Sequence, residues 1–186
     1  MAEIYISVDI EADGPIPGPH SMLSFGAAAF DGGRLSDTFS ANLELLEGAS
    51  PHPDTAAWWE KNRAAYDETR KNCVAPSVAM TDFVAWVEKQ GKRAVFAAFP
   101  AGFDFTFMYW YMIRFAGRSP FSFSALDMKT YAMATLGLEY RESAKRNFPR
   151  DWFSAGKRHT HVALDDAIEQ GEMFMNMLAA RQQQKG

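Results

Sequence analysis

The stretch IYISVDIE, from Ile4 to Glu11, constrains this chain more than any other. Ile4, Ile6, Val8 and Ile10 alternate with Tyr5, Ser7, Asp9 and Glu11, the period of a β-strand with one buried apolar face. At that period Asp9 and Glu11 point the same way, with backbone positions about 7 Å apart. Two anions so close repel unless something lies between them, and a divalent cation with oxygen ligands fills that role. An ordinary antiparallel strand with a hydrated outer face is the competing reading.

The segments that follow set the architecture. ADGPIPGPH is dense in Gly and Pro and reads as a loop, SMLSFGAAAF as a closely covered central strand, and DGG as a hairpin turn into RLSDTFSANLEL. Three strands joined in this way predict an antiparallel meander. Beyond it, PDTAAWWEKNRAAYDETRK reads as one helix, capped by Asp54 or Thr55 with Pro53 just outside. PSVAMTDFVAWVEKQG reads as another, with Val78, Phe83, Val84 and Val87 at helical spacing, Ser77 as cap and Gly91 as stop. KRAVFAAF is a short buried strand, and DFTFMYWYMIRFAG a helix apolar over most of its circumference. FSALDMKTYAMATLG gives a short strand entering a helix, and a last helix starts near His161. The whole predicts an α/β domain over residues 1–182, a mixed sheet covered by helices on both faces, and a frayed tail at 183–186.

At 186 residues, 47% of them hydrophobic, the chain can bury a core without disulfides or a structural metal. Cys73 is the sole cysteine, which excludes an intramolecular disulfide and a cysteine-rich zinc site and fits a reducing cytoplasm. Folded-looking sequence begins within a few residues of Met1, and no apolar run reaches the length of a membrane span, so neither a signal segment nor a membrane partner is expected. The net charge of −4 argues against a protein that coats nucleic acid nonspecifically. One basic excess does occur between Tyr140 and His161, where Arg141, Lys145, Arg146, Arg150, Lys157 and Arg158 face only Glu142 and Asp151. A phosphate-steering surface and a solvated loop both look like this.

Two further segments carry acids. FPAGFDFTF places Asp104 just after a strand at the head of the apolar helix, where the helix dipole alone would favour it; of the surrounding aromatics, Phe103 is the one expected to face a cleft and stack on a base. HTHVALDDAIEQ places His161 and Asp166 five residues apart, about 140° around a helix, so they meet only if His161 lies in the entering loop. Histidine can take a proton from water near neutral pH. Asp165 is read as a bystander. Trp58 and Trp59, adjacent on a helix, point about 100° apart, so one of them is expected in the core.

D-x-E at the end of the first strand, F-D at the head of a middle helix and H-x4-D at the start of the last helix occur in that order. This set resembles the DEDDh family of 3′-to-5′ exonucleases, which includes ribonuclease T, oligoribonuclease and bacterial proofreading subunits. The pattern spans Asp9 to Asp166, and ALDMKT around Asp127 also resembles a segment these proteins carry before a later helix. The resemblance implies a ribonuclease H-like fold, metal ligands at Asp9, Glu11, Asp104 and Asp166, and His161 as general base. It implies two divalent cations, Mg²⁺ or Mn²⁺, bridged by Asp9. It further implies release of nucleoside 5′-monophosphates from a 3′ end of single-stranded nucleic acid or a 3′ overhang.

GPIPGPHSMLSFG and the double tryptophan look most like a bacterial and phage branch of exoribonuclease-like proteins, which favours RNA over DNA. A DNA-trimming exonuclease and a noncatalytic nucleic-acid-binding module are the rival classes. Two departures touch subfamily and substrate: Pro100 stands where many members have asparagine, and Ser24 where a glutamate is often found. Met22 and Leu23 are candidates to wedge against the terminal base beside Phe103. Family members are often homodimers, and the Met-rich EMFMNMLAA could supply an apolar contact.

Overall fold

The structure is a computed structural model that describes residues 3–154 and 161–183. Five strands, β1 (Glu3–Ala12), β2 (Met22–Asp31), β3 (Arg34–Asn42), β4 (Arg93–Ala98) and β5 (Leu126–Asp127), form one sheet in the order β3-β2-β1-β4-β5. β1–β2 and β2–β3 pair antiparallel, while β1–β4 and β4–β5 pair parallel. This is the expected meander joined to parallel strands. With the sheet go helices α1 (Pro53–Lys61), α2 (Arg63–Thr69), α3 (Pro76–Lys89), α4 (Ala101–Tyr111), α5 (Met128–Leu136) and α6 (Ala163–Gln183), a π-helical segment Met112–Ala116 that continues α4, and 3₁₀ turns at Lys145–Asn147 and Arg150–Trp152. Of the expected tail, residues 184–186 lie outside the described residues.

β1 is the middle strand and is covered on both faces. Ile4, Ile6, Val8 and Ile10 pack with Met80, Phe83 and Val84 of α3 and Phe107, Met108 and Tyr111 of α4. Across the sheet, Ala28, Phe30 and Ala97 pack with Met128 of α5 and Met173, Phe174 and Met177 of α6. Each large side chain so enclosed contributes on the order of 1.5–3 kcal/mol. The polar side of β1 is therefore not hydrated along its length: Ser7 is 1% exposed, and α6 lies over it.

β1 also outruns its neighbour. Its pairing with β4 ends at Ser7, so the polar groups of Val8 and Ile10 on that side need other partners. Gln170 of α6 donates to the Val8 carbonyl at 2.7 Å, and the Ile10 N–H donates to Asp104 Oδ1 at 3.1 Å. The unpaired end of the strand thus recruits one side chain from each covering helix.

Local chemistry differs from the sequence expectation in three places. The first helix breaks at Asn62 into α1 and α2, and its N-cap is His52 with Pro53 as first residue, so neither Asp54 nor Thr55 caps it. Pro76 likewise opens α3 after Ala75, displacing Ser77 as cap; a proline at the first position has no N–H to satisfy. Val78 is 51% exposed and lies outside the apolar face formed by Phe83, Val84 and Val87. Gly91 takes a left-handed φ of 65° just past α3, the stop expected of it.

Two glycines set how close α6 comes. Gly26 stands opposite Asp9 in the β1–β2 register, and a Cβ there would lie 2.3 Å from the Leu164 backbone. A Cβ on Gly171 would lie 2.2 Å from the Phe30 ring. Gly26→Ala should therefore push the start of α6 off the sheet and destabilise the protein by about 1–3 kcal/mol in denaturant unfolding. Gly102→Ala, on α4 with open space around it, should be neutral or stabilise by up to about 1 kcal/mol. Equal effects of the two changes would contradict this packing.

Candidate active site

The acids gather where β1 ends. Ligand atoms of Glu11, His161 and Asp166 all lie within 4.8 Å of one another. Asp9 faces the same group: burial first, then the charges of Asp104, Glu11 and Asp166, push its carboxyl well above the ordinary carboxylate range, while Lys145 pulls it back. Burial, followed by Asp166 and Asp104, pushes Glu11 up to about 8. Asp104 rises to about 7 through burial, against the lowering effect of the Ile10 N–H and its own backbone N–H. Hard oxygen donors crowded this closely fit a divalent cation, which would relieve the repulsion that burial amplifies.

Each member has a distinct support. Asp166, 2% exposed, is the fourth residue of α6 and its N–H donates to the Val162 carbonyl at 3.1 Å. His161 lies in the entering loop, as the spacing required, with a left-handed φ of 56° that non-glycine residues rarely adopt. Asp165 is exposed. Ser24, the departure in β2, pairs directly with Glu11, so a glutamate there would add a further carboxylate to the cluster. Pro100, the departure before Asp104, is the N-cap of α4.

Two residues that the sequence singles out only by resemblance or by pairing take supporting roles that it does not reveal. Asp127 accepts the Ala101 N–H at 2.7 Å through Oδ2 and the Thr130 N–H at 2.6 Å through Oδ1, so one carboxylate ties the starts of α4 and α5 together. It thereby fixes the helix that carries Asp104. An aspartate before a helix was the available signal, but capping accounts for only one of its two bonds. Trp58 is the other. Trp59 is the core member of the pair, 4% exposed, with Nε1 donating to the Ala12 carbonyl at 3.0 Å. Trp58 stays 38% exposed and meets the His161 ring edge-on, with centroids 5.0 Å apart.

The candidate base contacts divide. Met22 and Leu23 have no exposed surface, Met22 lies in the core, and its N–H donates to the Tyr111 hydroxyl at 2.7 Å. This corrects the expectation that they wedge against a terminal base: β2 continues through them, and both faces of the sheet are covered there. Phe103 is 40% exposed one residue before Asp104, while Phe107 is buried. The methionines of EMFMNMLAA also prove to be core, Met173, Met175 and Met177 all being buried, so they offer no apolar surface to a second copy. In the basic stretch Arg141, Arg146 and Arg150 are exposed and Lys145 is half-buried, while Lys157 and Arg158 lie outside the described residues. Among the described residues, no helix is long and apolar enough to cross a membrane.

The raised carboxyls carry a pH dependence. Without metal, folded Glu11 and Asp104 hold protons up to about 8 and about 7, whereas the unfolded chain releases them near 4.5 and 3.8. Their contribution to stability is therefore present in acid and lost as pH rises through the raised values. In EDTA the Tm should fall between pH 5 and pH 8.5, and Glu11→Gln should flatten that fall. A metal-free Tm that climbs over this range in the wild type would contradict the assignment.

The chain is similar to known nucleases over almost its whole length. It is 34% identical over 182 residues to the 3′-5′ DNA exonuclease Cap18 of Escherichia coli, covering 92% of this chain and 90% of that one. The nuclease domain of 3′hExo, a DEDDh family member bound to rAMP, superposes with a TM-score of 0.69 at 10% identity, over 95% of this chain and 92% of that one. Pop2p of S. pombe, in a form bound to Mg²⁺ and Mn²⁺, superposes with a TM-score of 0.64 at 15% identity, over 94% and 82%. At such identities these two structures speak for the fold, the ribonuclease H-like one that the motifs implied. The family described as the Rv2179c-like 3′-5′ exoribonuclease domain matches residues 5–178, and the chain belongs to it as a 3′-5′ exonuclease.

Proposed function

We propose that this exonuclease releases nucleoside 5′-monophosphates one at a time from the 3′ end of single-stranded nucleic acid, with Asp9, Glu11, Asp104 and Asp166 holding two divalent cations and His161 as general base. The observation that carries this reading is the approach of Glu11, His161 and Asp166 within 4.8 Å beside the electrostatically joined Asp9 and Asp104. Mg²⁺ or Mn²⁺, when bound, would offset the charge of the phosphodiester and make the attacking water easier to deprotonate. The chain's own contribution is positional. β1 aims Asp9 and Glu11, the Ile10 N–H orients Asp104, and the first turn of α6 carries Asp166. His161 takes the proton of the attacking water, with Trp58 against its ring limiting how far it can turn. An unpaired end suits acids this enclosed, and Phe103 supplies an exposed ring on which the terminal base stacks.

RNA is the substrate class favoured by the branch resemblance and by the family's description. DNA is the second reading, favoured by the DNA exonuclease that is 34% identical over 92% of the chain. The free thiol of Cys73 suits a reducing compartment, and we place the protein in the cytoplasm.

End-labelled RNA and DNA single strands of one sequence, incubated with Mg²⁺, Mn²⁺ or EDTA, test the proposal. Stepwise shortening from the 3′ end should vanish in EDTA and in Asp9→Ala. His161→Ala should keep oligonucleotide affinity while turnover drops about 10²–10⁴-fold. Full turnover in His161→Ala would remove histidine from the role of base, and the faster of the two polymers decides between the substrate readings.

A further inference from the structure

Lys145 opens the short 3₁₀ turn Lys145–Asn147, between α5 and α6, and reaches back toward the acids. Its Nζ lies 3.3 Å from Glu169 Oε1 and 5.9 Å from the centre of the Phe99 ring. Glu169 is about one helical turn beyond Asp166 on α6, and Phe99 stands two residues ahead of Ala101, where α4 and its Asp104 begin. One ammonium thus lies between α6 and the turn that leads into α4. Its charge is felt at Asp9, where it opposes the neighbouring carboxylates.

The pair with Glu169 does not use up this cation. An ammonium has three donors, and Glu169 Oε1 takes one, at a distance longer than the roughly 2.7–2.9 Å of a tight charge-assisted bond. The Lys145 side chain is 32% exposed, whereas Glu169 is 15% exposed and its Oε2 is buried without a hydrogen-bond partner. The carboxylate is the fixed half of the pair, and the lysine is the half that reaches solvent. Arg146, the next residue, is exposed and extends the positive charge outward. A polyanion approaching a cluster of acids meets repulsion, and a cation at the edge of that cluster offsets it for each phosphate it receives.

We propose that Lys145 is a substrate-binding residue, its ammonium held by Glu169 so as to contact a non-bridging phosphate oxygen of the strand entering the acid cluster. The inference rests on the exonuclease reading above and adds a phosphate subsite to it. A lysine that merely tied α6 to the 3₁₀ turn would contribute to stability and leave the salt dependence of binding alone.

The test is binding of a labelled single-stranded oligonucleotide to the His161→Ala chain with Mg²⁺, read by anisotropy over a series of KCl concentrations. Lys145→Met in that background should lower the magnitude of the log K against log [KCl] slope by about 0.7, the value for one phosphate contact on a single strand, whatever the base sequence. Lys145→Arg should restore the slope. Lys92→Met, near Asp31 at the other end of the sheet, should leave it unchanged. A slope untouched by Lys145→Met, with unfolding temperature lowered equally by Lys145→Met and Glu169→Gln, would overturn the proposal and reduce Lys145 to an ion-pair partner. Failure of the His161→Ala parent to bind any oligonucleotide would instead overturn the exonuclease reading and the subsite with it.

Discussion

Carboxylates that repel one another must be held together by something other than their own chemistry, and the rest of the molecule is arranged around that requirement. Like charges about 5 Å apart cost on the order of 3 kcal/mol at an effective dielectric near 20, before any desolvation. Here the restraint is backbone. β1 extends past β4, and the backbone groups left without a β4 partner bind Asp104 from one covering helix and Gln170 from the other. Gly26 and Gly171 allow α6 to lie close enough for Asp166 to join. The acids keep their places without neutralising each other, and among the described residues N–H groups and Lys145 offset part of the charge on Asp9 and Asp104.

This arrangement trades stability for binding. Protons on Glu11 and Asp104 relieve the strain in the metal-free chain, and a divalent cation would relieve it by displacing them. Asp127 and Trp58 belong to the same economy of supports: one fixes the start of the helix bearing Asp104, the other bears on His161. Neither needs to touch substrate to matter, because a shift of about 1 Å at a reacting group can cost on the order of a hundredfold in rate.

Much of this was legible in the sequence because period and order are local properties. The alternation in β1 placed Asp9 and Glu11 on one side, and the five-residue gap from His161 to Asp166 required a loop histidine. What escaped notice depended on which surfaces pack. Met22 and Leu23 follow a loop, as cleft residues often do, yet the sheet is covered on both faces at that point. Asn62 interrupts an apolar pattern that reads as continuous. The second bond of Asp127 crosses 26 residues to α4, and no local pattern reports it. The choice between RNA and DNA turns on one or two hydrogen bonds to a 2′-hydroxyl, which leave no signature in spacing.

The central claim is that the buried acids are a divalent-cation site held partly protonated until metal arrives. Calorimetric titration of Mn²⁺ into the protein at pH 7, repeated in two buffers of different ionisation enthalpy, measures both binding and the protons exchanged. The account predicts binding with net proton release, because Glu11, pushed up to about 8, must give up its proton to ligate, and a smaller release in Glu11→Gln. Absence of Mn²⁺ binding, or binding with no proton exchange, would contradict it.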